Sequence, residues 1–469
     1  MKILVPLPFD ISCLQHGRNL RIVHVLRTLS ERHEIICATA QPTIAATAQQ
    51  VLPHVTIQVA PQVASKVVSQ PFAATPSASL LSSCRSYLFR RAADFFGHDS
   101  VLHGWMRHLA NDADVALGFD WGSAIYLSSL QATTNHKIAT VCDLIDDPYL
   151  THSQTNFGRR WSITGMKTSI ALRLLRSRLL QEMDVLIAVA QMDAESILRT
   201  TDRPVRVIPN GVEIPAAAIN SSPIDSPHHA SNTFASREPL VVFTGSMNFP
   251  PNEQAACYLV NTIWPHIRQQ VPNARLALVG VNPTPRVKAL ANHPGVTVTG
   301  RVADMGEWLR RARVAAAPIL SGSGIKNKVL EACANGCAVV ATPRAAAGIP
   351  SGPEHGILIA EKPALFAAQT ARLLADEANA IELGRAGQSM VRQRFDWNRI
   401  AEAFEIVLRV CARRASIDQR IGISTHAEIN VDTNIDIGTA PNDDAINDRS
   451  DDCQRSAILS NRRATHVLS

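Results

Sequence analysis

Between residues 321 and 336 the chain reads Ser321-Gly-Ser-Gly-Ile-Lys-Asn-Lys-Val-Leu-Glu-Ala-Cys-Ala-Asn-Gly336, a glycine-rich turn, two lysines and one carboxylate at the start of an amphipathic helical pattern. The strand Ala338-Val-Val-Ala341 follows. A helix start presents unpaired N–H groups and a positive dipole end, so an anion is favoured there. Gly322 and Gly324 let the backbone approach phosphate oxygens with no Cβ in the way. Lys326 and Lys328 add cationic heads. Glu331 cannot serve a phosphate, but three residues beyond Lys328 it shares that helical face, where a carboxylate accepts ribose hydroxyls. The chemistry of the set is the grip of a nucleoside diphosphate. A blander reading stays open, a surface helix on which Lys328 and Glu331 form an exposed ion pair worth about 0.2–0.5 kcal/mol.

Short apolar strands alternating with helical patterns must position these residues. Ile3-Leu-Val5, Glu34-Ile-Ile-Cys-Ala38, Val115-Ala-Leu117, Ile138-Ala-Thr-Val-Cys142 and Val185-Leu-Ile-Ala-Val189 read as buried strands, with a helix from Asn19 to Arg32 after the first. A second cycle runs through strands at 239–245, 275–280, 296–300, 314–318 and 337–341. The alternation predicts an α/β protein with parallel sheets. Between the cycles, Ile214 to Glu238 is rich in Ala, Ser, Pro and Asn and reads as a linker or exposed excursion. From Ser416 to Ser469 the chain turns to Asn, Asp and Ser without periodicity and reads as disordered.

Composition bounds the function classes. The 469 residues, 46% of them hydrophobic, supply two substantial cores. No run of 18 apolar residues and no secretory leader pattern occur, so the expected location is the cytoplasm. Nine scattered cysteines fit reduced thiols, and Cys333 and Cys337 lack the further ligands of a metal set. A net charge of +6 is too weak to argue for nucleic acid but suits phosphate-bearing substrates or an anionic membrane surface.

Several separated motifs together carry a family resemblance: Val207-Ile-Pro-Asn-Gly-Val-Glu213, Phe243-Thr-Gly-Ser-Met-Asn-Phe-Pro-Pro-Asn252, Gly324-Ile-Lys-Asn-Lys-Val-Leu-Glu-Ala-Cys-Ala-Asn-Gly336 with Val339-Val-Ala-Thr342, and Phe395-Asp-Trp397 before a final helix. From about residue 1 to 412 the chain resembles GT-B glycosyltransferases, most of all the retaining family 4 enzymes associated with bacterial exopolysaccharide gene clusters. The resemblance implies two Rossmann-like doubly wound domains facing a central cleft. On it, 1–207 is an acceptor-side domain, 208–238 the linker, 239–394 the nucleotide-sugar domain, 395–415 a helix crossing back to the first domain, and 416–469 the polar tail. It also implies Glu331 as the ribose partner, Lys328 as the diphosphate partner, and Lys326 as a second cation. Gly17, Gly245, Ser246, Gly322, Ser323, Gly324, Ile325 and Asn327 line the substrate site on the same grounds, and Arg301 either approaches the base or phosphate or is a solvated loop arginine. Asp143, placed just after the strand ending at Cys142, is expected to face the cleft and orient the acceptor hydroxyl, while Asp146 and Asp147 cap the next turn before Pro148.

Departures from the family pattern sharpen this reading. The acidic residue many members carry eight positions before the ribose-binding glutamate is Ser323 here, and the lysine usual after the first strand of the second domain is absent from Thr244 to Asn252. The diphosphate must then lean harder on Lys328 and Lys326. No metal and no organic cofactor are expected, because lysines and helix N–H groups can hold the leaving charge. The expected partners are a nucleotide-sugar donor and a glycan or lipid-linked acceptor, with no nucleic acid. The stretch Gly158 to Arg178, six cations and no carboxylate, offers peripheral contact with the inner face of the membrane, or else packs its leucines inward as an ordinary basic helix. Two rival classes stay open: a nucleotide-sugar epimerase of the same fold, and a non-catalytic sugar-nucleotide-binding subunit of a polysaccharide assembly. A dinucleotide oxidoreductase is disfavoured, since neither 4–17 nor 279–285 supplies Gly-x-Gly-x-x-Gly.

Overall fold

A computed structural model describes residues 1–13, 17–61, 98–128, 130, 138–145, 163–215, 237–322 and 324–421; of residues 163–169, 171, 172 and 419–421 it describes the backbone. The Ser323, Asp146 and Asp147 readings lie outside the described residues, as does the tail beyond residue 421.

Two parallel sheets organise the molecule. The first holds β1 (Lys2–Pro6), β2 (Glu34–Thr39), β3 (Thr56–Val59), β4 (Val115–Phe119), β5 (Ala139–Leu144), β6 (Val185–Ala188) and β7 (Val205–Val207) in the order β3-β2-β1-β4-β5-β6-β7. The second holds β8 (Glu238–Thr244), β9 (Arg275–Val279), β10 (Val296–Gly300), β11 (Ala312–Ala317), β12 (Ala338–Ala341) and β13 (Ile357–Ile359) in the order β10-β9-β8-β11-β12-β13. Every strand pairing is parallel. Central strands such as β4, β6, β11 and β12 are buried along their whole length, because helices cover both faces. In each sheet the strand order reverses between the first strand and the fourth, β1 against β4 and β8 against β11. Doubly wound sheets bind ligands in the crevice outside the carboxyl ends of strands at such a reversal.

The chain passes between the sheets twice, and the two passages lie together. Outbound, the Val212 amide donates to the Phe395 carbonyl at 2.7 Å; inbound, Asp396 bridges back to Val212. The returning helix, Trp397–Ile421, lies on the first sheet with Ile400, Phe404 and Leu408 fully buried. Its Phe404 ring packs against Phe119 of β4 at 6.1 Å, and Trp397 stacks flat on His24 of the Gly17–Ser30 helix at 4.7 Å.

The described part of the basic segment belongs to a helix, Ile163–Glu182. In its described half Leu175, Leu179 and Leu180 are buried, Arg176 donates to Thr200 Oγ1 at 2.6 Å, and Arg178 pairs with Glu182. There the leucines face the core, as in an ordinary surface helix. Among the described residues no helix is long and apolar enough to cross a membrane. The seven described cysteines are free thiols, six of them buried.

Candidate functional site

The carboxyl ends of β8, β9 and β11 meet the start of the Asn327–Ala334 helix, and there Gly245, Gly280, Asn252 and Lys328 come together. After β8 the chain turns at Gly245, whose φ is 150°, and after β9 it turns at Gly280, with φ of 153°. These two turns touch. A Cβ on Gly280 would lie 1.8 Å from the Gly245 carbonyl oxygen, and one on Gly245 would lie 2.9 Å from Lys328 Nζ. Glycine at both places gives a floor of bare backbone directly beneath the lysine.

Lys328 is the second residue of the Asn327–Ala334 helix, and its amine is held from two sides. Nζ donates to Asn252 Oδ1 at 2.6 Å and sits 4.3 Å over the centre of the Phe243 ring. Asn252 is itself fixed, its Nδ2 donating to the Ser246 carbonyl at 2.9 Å. Part of the side chain remains exposed to the cleft. Burial of the amine lowers its pKa to about 7, against the pull of Glu331 and with a small push from Lys326. The ammonium is thus poorly compensated by the protein alone, which suits a group meant to meet an external anion.

Glu331 is not the ion-pair partner of Lys328 that a surface helix would give; no salt bridge joins them. Its carboxylate has no hydrogen bond among the described residues, and burial pushes its pKa up, partly offset by Lys328. Two hydroxyls of a ribose would satisfy it.

Lys326 occupies the N-cap position of the helix and provides no side-chain cap; its Nζ donates to the Gly324 carbonyl at 2.8 Å. The Val329 amide already donates to the Lys326 carbonyl at 2.8 Å, so the N–H groups of Asn327 and Lys328 are the ones open to an anion. Gly322 and Gly324 have positive φ, 100° and 72°, and Gly322 lies against Pro251. Ile325 is buried, Ser246 is exposed with its hydroxyl on Asn248, and Arg301 is exposed just past the end of β10.

The first domain reaches the same point. Gly17 opens the helix Gly17–Ser30, and a Cβ there would lie 2.9 Å from Asn327 Nδ2. Asn210, of the Pro-Asn-Gly turn, donates to Asn327 Oδ1 at 3.0 Å. Two helix starts, one from each domain, therefore converge on Asn327 beside Lys328, and their positive ends reinforce each other.

Asp143 is placed elsewhere. β5 runs on through Leu144, so Asp143 is inside the strand, opposite Phe119 and Ile187 in register, and its side chain points to a sheet face rather than beyond a strand end. It accepts from Arg21 Nε at 2.6 Å and Nη2 at 3.0 Å, both side chains at 0% exposure. Arg21 also donates to the carbonyls of Ile208 and Pro209 and lies 5.0 Å from the Phe404 ring centre. Burial raises the Asp143 carboxyl while Arg21 pulls it down. The pair ties the first sheet to the linker and the returning helix, out of reach of a substrate.

Two residues that the sequence reading did not assign stand where it looked for others. Asn252 orients Lys328; its signal is the polar residue closing the motif after β8. Asp120 follows the last residue of β4 at the strand reversal, with a left-handed φ of 68° that is costly for a side chain bearing a Cβ. Its carboxylate accepts from Arg18 Nη1 at 3.2 Å and from the Trp121 amide at 2.6 Å, and Arg18 lies over the Phe9 ring. An acid immediately after a central strand was the available signal.

Two sheets of this topology facing a cleft, joined by a linker and a returning helix, are the GT-B fold of glycosyltransferases. Residues 238–376 match the family model Glycosyl transferases group 1. Among solved structures, the chain is similar to a sucrose-phosphate synthase from Thermosynechococcus elongatus, at 17% identity over 87% of this chain and 98% of that one, with a TM-score of 0.58. It is similar to HepE from Anabaena, solved in complex with UDP, at 15% identity over 87% and 100%, with a TM-score of 0.58. A third likeness, to WaaG, a glycosyltransferase involved in lipopolysaccharide biosynthesis, has 12% identity over 87% and 99%, with a TM-score of 0.51. No curated protein sequence matches the chain.

Proposed function

We propose that the protein transfers a sugar, with retention, from a nucleoside-diphosphate sugar to a glycan or lipid-linked acceptor in the synthesis of bacterial exopolysaccharide or another cell-surface polysaccharide, working in the cytoplasm at the inner face of the membrane. The observation that carries this reading is the meeting of Lys328, the bare Gly245 turn and two helix starts at one point. The pyrophosphate lies there, Glu331 takes the ribose, and Arg301 stands toward the base. Anabaena HepE has been solved with UDP and with UDP-glucose, which makes UDP the first nucleotide to test.

In the reaction the bond between the anomeric carbon and the phosphate oxygen breaks, and the acceptor oxygen bonds to the same face of that carbon. The acceptor proton passes to the departing phosphate. The protein's main work is to stabilise the negative charge that grows on the pyrophosphate, through Lys328 and the N–H groups of the Asn327–Ala334 helix. Asp120, at the reversal point of the first sheet, is the group placed to orient the acceptor hydroxyl.

The decisive experiment pairs UDP- and GDP-sugars with cell-envelope lipid extracts and follows nucleotide release. Release that depends on extract supports transfer. Isomerised donor without acceptor would favour the epimerase, and tight donor binding without any release would favour a non-catalytic subunit. Turnover should persist in EDTA, since no divalent ion enters this account; complete loss would count against it.

Lys328 also makes donor binding depend on pH. With its pKa lowered to about 7 in the free site, the amine is only partly charged near neutrality. A bound pyrophosphate raises that pKa, so binding takes up a proton. Affinity is then greatest below pH 7 and falls by up to about tenfold per pH unit above it, until the pKa of the complex is reached. Calorimetry at pH 8 in buffers of different ionisation heat should record that uptake. Equal heats in all buffers would take Lys328 out of the phosphate site.

A further inference from the structure

A cavity of about 410 Å³ opens beside the phosphate grip, on the β12 and β13 side of the cleft. Its walls come from both domains: Met192 and Asp193 at the start of the Gln191–Leu198 helix of the first domain, and Leu320, Lys326, Arg344 and Glu361 of the second. Gly322 and Gly324 line it too, so the loop that leads into the phosphate-binding helix is shared between the two sites. A group attached to the outer phosphate at that helix start has this cavity as its neighbouring space.

The wall chemistry is mixed. Glu361 is exposed and makes no ion pair or hydrogen bond among the described residues, while Arg344 reaches only the Gly322 carbonyl, at 3.4 Å. Lys326 is bound to the Gly324 carbonyl, and Met192 and Leu320 present 62% and 41% of their surface. Carboxylates that accept, cations that donate and an apolar strip beside them match an uncharged pyranose, whose hydroxyls both donate and accept and whose C–H face is apolar. A lipid chain would leave Glu361 and Arg344 without partners, and a uronic acid, although it could reach Arg344, would set a second carboxylate beside Glu361, which has no cation of its own among the described residues.

We propose that this cavity receives the sugar of the donor, that the sugar is a neutral pyranose, and that Glu361 is the specificity-determining residue that accepts its hydroxyls. This rests on the nucleotide-sugar reading above. It also accounts for the chain's lack of a carboxylate at position 323: the acceptor group for the hydroxyls comes from Glu361 instead.

The test is a comparison of binding by calorimetry. UDP, UDP-glucose and UDP-glucuronate, with GDP, GDP-mannose and GDP-mannuronate beside them, are titrated into the wild-type chain, Glu361→Gln and Glu361→Ala. The expected result has four parts. The nucleotide alone binds all three proteins within twofold. The wild type prefers the neutral donor to the uronate, Glu361→Ala loses roughly tenfold in affinity for the neutral donor, and Glu361→Gln narrows the gap between neutral and uronate donors. That narrowing is a change of selectivity, which a merely structural role for Glu361 would not produce. Neutral-donor affinity unchanged in both variants, or a wild type that prefers the uronate, overturns the inference while leaving the nucleotide site intact. Failure of both nucleotides to bind the wild type overturns the nucleotide-sugar reading and this inference with it.

Discussion

Lys328→Ala should weaken donor binding ten- to a hundredfold, with the circular dichroism spectrum unchanged. Among the described residues the lysine's amine is the one cation resting directly on the bare Gly245 turn, and a charge-assisted contact to phosphate is worth about 1.5–3 kcal/mol. Lys328→Met is the sharper variant, because it keeps the aliphatic stem against Phe243 and removes only the charge. Both variants should also lose the proton uptake on binding. If either binds nucleotide as the native chain does, the pyrophosphate does not lie at this point. The effect should exceed that of Lys326→Ala, whose amine is already engaged by the Gly324 carbonyl.

Asp143→Ala should cost about 3–5 kcal/mol of stability, read as a lowered denaturation midpoint. The substitution strands the Arg21 guanidinium at 0% exposure with its two carboxylate bonds gone. Replacing both partners, as Arg21→Met with Asp143→Leu, should recover much of that loss, since a well-packed apolar pair does not carry the cost of burying charge. The carbonyls of Ile208 and Pro209 would still lose their donor, so recovery should be incomplete. A stable Asp143→Ala protein that binds donor but fails to turn over would return Asp143 to the chemistry.

The contrast between these two residues shows what sequence could reveal. The surroundings of Lys328 were legible because they are local: the glycines, the helical pattern and Glu331 lie within a few positions in the chain. Asp143 was not legible in the same way. Its meaning turns on whether β5 stops at Cys142 or runs to Leu144, and strand ends are poorly fixed by an apolar run that simply tapers. Two residues of extra strand move the side chain from the crevice to a sheet face. The central strands were readable from their continuous apolar runs, whereas β3, β7 and β13 were not. These are edge strands of three or four residues, too short to carry a pattern. The cavity at Glu361 lay beyond any local reading, because its walls are brought together from three loops and two domains.

The position of the returning helix has a bearing on how the chain matures. Phe404 completes the packing under Phe119 and Arg21, and Glu405 binds Arg32 of the first domain, yet both lie just over four hundred residues from residue 1. The half of the protein synthesised first is therefore finished last. While the ribosome is still making the second domain, the first exposes the apolar strip that Ile400, Phe404 and Leu408 will cover, and its buried arginine lacks part of its setting. Release of the returning helix closes that gap, so the core of the amino-terminal domain is completed only after the second domain has been made.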